Sequence, residues 1–86
     1  MGSEYPCPGC GFLVLGEPPG GTFAICPVCL WEDCNVQFED PSYDGGPNGI
    51  SLADHQGQVL QRLPLSVRDD GGYRRDPQWQ PLVIEE

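Results

Sequence analysis

Two short turns, Cys7-Pro8-Gly9-Cys10 and Cys26-Pro27-Val28-Cys29, constrain this chain more than any other part of it, and the fifteen residues from Gly11 to Ile25 separate them. A Cys-x2-Cys pair repeated at that distance falls at the short edge of the spacing used by structural zinc sites. Four thiolates on two tight turns can surround one tetrahedral ion and leave no position open. Proline after the first cysteine of each turn presets φ, and Gly11 after the first pair offers the positive φ that lets backbone amides point at sulfur. The expected ligands are Cys7, Cys10, Cys26 and Cys29. The expected ion is Zn2+, with iron in a rubredoxin-like electron carrier as the alternative, because tetrahedral sulfur suits both metals. The short insert between the turns is closer to a zinc ribbon.

An 86-residue chain has room for one domain whose apolar core alone is only marginally stabilising. Structural zinc contributes on the order of 10 kcal/mol to small modules, so a metal staple is the expected remedy. Five cysteines is an odd number, which argues against a disulfide framework. Met1-Gly2-Ser3-Glu4-Tyr5 carries neither a basic segment nor an apolar run, and no stretch is apolar enough to span a membrane, so a reduced, cytoplasmic protein is expected.

Charge is segregated along the chain. Residues 1–61 hold Glu4, Glu17, Glu32, Asp33, Glu39, Asp40, Asp44 and Asp54 and no lysine or arginine, a formal charge of −8 out of −9 overall, and the four arginines follow at 62, 68, 74 and 75. Such a field repels phosphate backbones and attracts basic proteins. Nucleic acid is therefore a disfavoured partner, and a basic protein the favoured one.

The fold class expected is a small metal-stapled α+β domain with a zinc-ribbon or rubredoxin-like β-hairpin. Phe12–Leu15 and Thr22–Ile25 read as its two strands, joined through the turn cluster Gly16-Glu-Pro-Pro-Gly-Gly21. Alternation of Leu30, Trp31, Val36 and Phe38 with polar residues suggests a third, half-buried strand. Residues 39–50 read as an acidic loop. Asp40, Ser42 and Asp44 imitate the start of a calcium loop, but its twelfth position is Ser51 and no helix precedes it. Ser51 and Asp54 open a helix over about 51–62, closed by Pro64, with Leu52, His55 or Gln56, Val59 and Leu63 on its inner face. The ribbon domain then spans 1–63. Residues 64–86 form an arm or weak hairpin around Asp69-Asp-Gly-Gly72, in which Arg68, Arg74 and Arg75 beside Tyr73 and Trp79 either make a contact surface or fold back on the ribbon.

His55 and Cys34 invite chemistry, but four thiolates leave His55 no vacancy to fill, and Cys34 reads as a spare thiol. No nucleophilic triad or phosphate-binding loop is present. The carboxylate pairs Glu32-Asp33 and Glu39-Asp40 read as solvated faces. A thioredoxin-like dithiol needs a β-α-β setting that this chain lacks. A non-enzyme is expected.

Tyr5-Pro-Cys-Pro-Gly-Cys-Gly11, Pro19-Gly-Gly-Thr-Phe-Ala-Ile-Cys-Pro-Val-Cys-Leu-Trp-Glu-Asp33 and Glu39-Asp-Pro-Ser-Tyr-Asp-Gly-Gly-Pro-Asn-Gly-Ile-Ser-Leu52 together resemble the small bacterial cysteine-rich proteins named for a Cys-Pro-Cys-Cys motif. The resemblance covers residues 5–62 and implies a bacterial, cytosolic, zinc-ribbon-like protein. It also implies an accessory or immunity-type role beside toxins. Gly9 stands where the name-giving motif has its middle cysteine, so the ligand set survives and a fifth thiol at the first turn does not.

Overall fold

The computed structural model of the chain describes residues 4–82. Its elements are β1 (Tyr5–Pro6), β2 (Leu13–Leu15), α1 (Asn35–Glu39), α2 (Leu52–Arg62), β3 (Asp69–Asp70) and β4 (Tyr73–Arg74). They form a small α+β fold whose core consists of the four turn cysteines with Phe12, Trp31, Leu52 and Val59. Met1–Ser3 and the apolar end of the expected arm, residues 83–86, lie outside the described residues.

Each cysteine turn closes on its own flanks. β1 pairs antiparallel with β2 around Cys7–Cys10, Tyr5 opposite Leu15 and Pro6 opposite Leu13. An isolated antiparallel bridge between Ile25 and Glu32 does the same around Cys26–Cys29. The Cys7 amide donates to the Phe12 carbonyl and the Cys26 amide to the Trp31 carbonyl, both at 2.9 Å. This corrects the expected pairing of 12–15 with 22–25. Local closure restricts a shorter loop and so costs less entropy. The linker is also turned away from a ladder by Asp33, which is buried and not on the solvated face expected of it: both its carboxylate oxygens accept from the Gly20 amide at 2.9 Å, and Oδ2 accepts from Thr22 at 2.9 Å. Phe23 then adopts a positive φ of 60° that no strand accommodates.

The expected third strand is also corrected, because Asn35–Glu39 is a short helix. Its burial is the reverse of what the apolar alternation suggested: Val36 and Phe38 are exposed and Gln37 is fully buried. The buried amide is satisfied on both sides, which removes the usual penalty. Gln37 Nε2 donates to the carbonyls of Tyr43 and Ile50, and Oε1 accepts from Asn48 Nδ2, all at 2.8 Å. One side chain thus folds the acidic loop around itself.

α2 follows the expected boundaries. The Ser51 hydroxyl accepts from the Asp54 amide at 3.1 Å, Asp54 places an acid in the first turn and Arg62 a base in the last, matching the helix dipole at both ends. Leu52, Gln56 and Val59 are its buried face, and Leu63 packs against the core. β3 and β4 pair across Gly71-Gly72. The chain beyond them returns to the first cysteine turn, through a bridge between Phe12 and Arg75 and a 2.8 Å bond from the Asp76 amide to the Gly11 carbonyl.

Candidate metal centre

The four expected thiols meet in one buried cluster, their sulfur atoms all within 4.8 Å of one another. Cys7 and Cys29 sulfurs are 3.7 Å apart, and Cys10 and Cys26 sulfurs 3.6 Å. A tetrahedral ion with metal–sulfur bonds of about 2.3 Å needs sulfur–sulfur edges of about 3.8 Å. The donor set fits such an ion, so Cys7, Cys10, Cys26 and Cys29 could hold it.

The turns also supply the amides that thiolates require. Gly9 N–H points at the Cys7 sulfur at 3.3 Å, while Val28 and Cys29 N–H point at the Cys26 sulfur at 3.3 and 3.4 Å. These bonds stabilise sulfur in its charged form. Crowding does the rest. The Cys29 thiol is held far below its ordinary range, chiefly by the neighbouring Cys10 thiol, with Cys26 and Cys7 adding to the effect. Cys26 is lowered, led by Cys10. Cys7 is pushed far up, led by Cys10, and Cys10 is pushed up, led by Cys26. Four thiols this close share protons, and only a cation lets all four ionise together.

His55 has a position that its lack of a ligand vacancy did not reveal. Its ring lies 4.9 Å from that of Trp31, and its Nε2 is buried without a partner. A Cβ built on Gly9 would fall 3.0 Å from His55 Cδ2 and 3.2 Å from the Cys29 sulfur, so the imidazole edge and that sulfur flank the same narrow gap. The helical period had put His55 or Gln56 on the inner face, and both serve it: Gln56 Nε2 donates to the Pro8 carbonyl at 2.6 Å. Any side chain at position 9 crowds this gap, which accounts physically for glycine there.

Of the two alternatives open for the arm's arginines, contact surface or return to the ribbon, Arg75 takes the second. It is 2% exposed, so it belongs to no contact surface. Its Nε donates to the Cys10 carbonyl at 2.9 Å, Nη1 to Pro64 and Val67 at 2.7 and 3.0 Å, and Nη2 to Leu63 at 3.1 Å. The guanidinium also lies 4.6 Å from the centre of the Phe12 ring. It ties the first turn, the end of α2 and the arm together. No sequence signal separates Arg75 from the exposed Arg74 beside it. Cys34 is buried at the N-cap of α1, outside the cluster. Glu39 lies exposed at the end of α1, a helix not expected before Asp40. Asp40 and Asp44 lie exposed on the loop, and the Asp40 carboxylate is occupied by Ser42 at 2.8 Å.

No described helix is long and apolar enough to cross a membrane. The family model for cysteine-rich CPCC proteins matches residues 5–62, from β1 to the last turn of α2. A search of curated proteins finds no match.

Proposed function

Because the chain belongs to the cysteine-rich CPCC family, we propose that it is a non-enzymatic, zinc-stapled interaction module that presents an acidic surface to a basic protein. The observation that carries this reading is the closure of the cluster: the four cysteines are between 0 and 4% exposed, which leaves no side from which a substrate could approach an ion. Zinc held by Cys7, Cys10, Cys26 and Cys29 would supply no redox chemistry and no activated water, only a rigid link between the two turns. Four thiolates around Zn2+ add a charge of about −2 to a stretch, residues 1–61, that carries no lysine or arginine.

Attraction of a basic partner follows from this field and accelerates encounter. Occupying the cationic groove of a toxin, as an immunity-type protein does, is one form the interaction takes. With Arg75 consumed internally, Arg68 and Arg74 are the exposed arginines of the arm, a thin basis for binding phosphate backbones.

Purified protein should be colourless with one zinc per chain. A red, reducible protein would establish the iron electron carrier instead. Capture from the native host with the metal-loaded chain should retain a basic protein at about 50 mM salt and release it near 500 mM, where exposed charges are screened within a few ångströms. Retention that ignores salt, or an acidic partner, contradicts the electrostatic reading.

A further inference from the structure

Phe23 and Leu30 are the two non-glycine residues with positive φ among the described residues, at 60° and 70°. Backbone strain of this kind persists where the surroundings repay it. Here the side chains are left mostly to solvent: Leu30 is 72% exposed, Phe23 58%, and Ile25, between them in the chain, 61%. All three flank the second cysteine turn, whose backbone is fixed by bonds from Leu30 N to the Cys26 carbonyl at 2.9 Å and from Phe23 N to the Asp33 carbonyl at 2.8 Å.

We propose that the outer face of the second cysteine turn, carried by Phe23, Ile25 and Leu30, is the docking face for a basic partner that brings an apolar anchor flanked by lysine or arginine. The inference rests on the acidic-module reading and names the part of the surface that does the binding. Charge selects the occupant. Ile25 and Glu32 are bridge partners, so their side chains project from the same side of the strand pair. Asn48 grips both backbone groups of Glu32, accepting from its N–H at 2.8 Å and donating to its carbonyl at 3.0 Å. An apolar spot beside a carboxylate whose backbone is held in place, in a stretch without any lysine or arginine from residue 1 to 61, suits a cationic amphipathic segment. The same charge opposes a second copy of this chain, which would bring like charge to like.

A backbone already held by hydrogen bonds at Phe23 and Leu30 suits a binding face because its conformational entropy is spent before the partner arrives. A partner side chain seated against Leu30 and Ile25 would be the anchor, and Glu32 would fix its register by pairing with a flanking base.

The test uses the zinc-loaded full chain and three labelled synthetic peptides followed by fluorescence anisotropy. One carries two leucines flanked by lysine and arginine, one has those leucines replaced by serine at equal charge, and one has the bases replaced by glutamate. The first should bind, the second at least about tenfold more weakly, as expected when the apolar contacts are lost, and the third not at all. Leu30→Gly and Ile25→Thr should each weaken the first peptide about tenfold, with the fold followed by circular dichroism. Glu32→Gln, which leaves the Asn48 grip on the backbone intact, should weaken binding and flatten its salt dependence. Equal binding of the two basic peptides overturns the docking face and leaves the acidic-module reading standing. Absence of binding by either basic peptide overturns both. A wild-type dimer in sedimentation that Leu30→Gly dissociates would assign the face to a second copy and overturn the proposal.

Discussion

Each position of the first cysteine turn lies nineteen positions before its counterpart in the second: Cys7 before Cys26, Cys10 before Cys29, Gly11 before Leu30, Phe12 before Trp31. The backbones match. Gly11 and Leu30 donate to the first cysteine's carbonyl at 2.7 and 2.9 Å, and both have positive φ, 83° and 70°. The surroundings do not match. The first turn lies under Gln56 of α2, Arg75 and Trp79, whereas the second turns Leu30 to solvent. A metal cluster demands likeness only at the sulfurs and the amides facing them. The outer side of each turn is free to diverge, one toward packing and the other toward display.

The comparison breaks most completely where both turns are equivalent. Removal of the metal by a chelator, or Cys7→Ser or Cys26→Ser alike, should unfold the chain, since structural zinc contributes about 10 kcal/mol or more against a domain stability of about 5–15 kcal/mol. Far-UV circular dichroism beside metal content reads this directly. A folded, metal-free Cys7→Ser protein would show that the second turn and α2 stand alone.

The packed turn offers the next largest effect. A Cβ on Gly11 would collide with the Trp79 indole and would also force a left-handed backbone on an L side chain. Gly11→Ala should cost roughly 3 kcal/mol from the two causes together. Displacement of Trp79 should shift tryptophan emission, while Trp31, buried beside the cluster, stays in place. Arg75→Ala follows at about 2–3 kcal/mol, because it strips the Cys10, Leu63, Pro64 and Val67 carbonyls of their donor in a buried site. Urea midpoints compared with wild type measure both. An Arg75→Ala chain as stable as wild type would mean that the arm does not cover the first turn.

Legibility in the sequence divides along the same line. The four thiols, the helix over 51–62 and its Ser51 cap were readable because they rest on spacing and on contacts within a few residues. The strands between the turns were not, since their pairing was decided by Asp33, which captures the amides of Gly20 and Thr22 from eleven or more residues away. Alternation around Val36 and Phe38 misled because it assumes that apolar means buried. Gln37 is buried instead, and three hydrogen bonds make that possible. Arg75 and His55 depend on tertiary placement, 65 residues from Cys10 in one case and on the choice between two adjacent helix positions in the other. Phe23, Ile25 and Leu30 read as strand residues, and neither their exposure nor the positive φ of Phe23 and Leu30 was visible in the sequence.

The smallest effect is the sharpest, because its sign distinguishes the two turns. Leu30→Gly gives the second turn the residue that the first already has. Relief of a left-handed L residue is worth about 1–2 kcal/mol, and the added freedom of glycine in the unfolded chain returns about 0.5–1 kcal/mol of that. A side chain 72% exposed contributes little packing to lose. The net expectation is stabilisation by about 0.5–1 kcal/mol, a rise in Tm of about 2–8 °C for a chain of this size. Leu30→Ala retains the strain, removes most of the apolar surface and should leave Tm nearly unchanged. If Leu30→Gly lowered Tm, the leucine would be holding the turn together as packing, and the contrast between a packed first turn and a displayed second one would fail at the position that defines it.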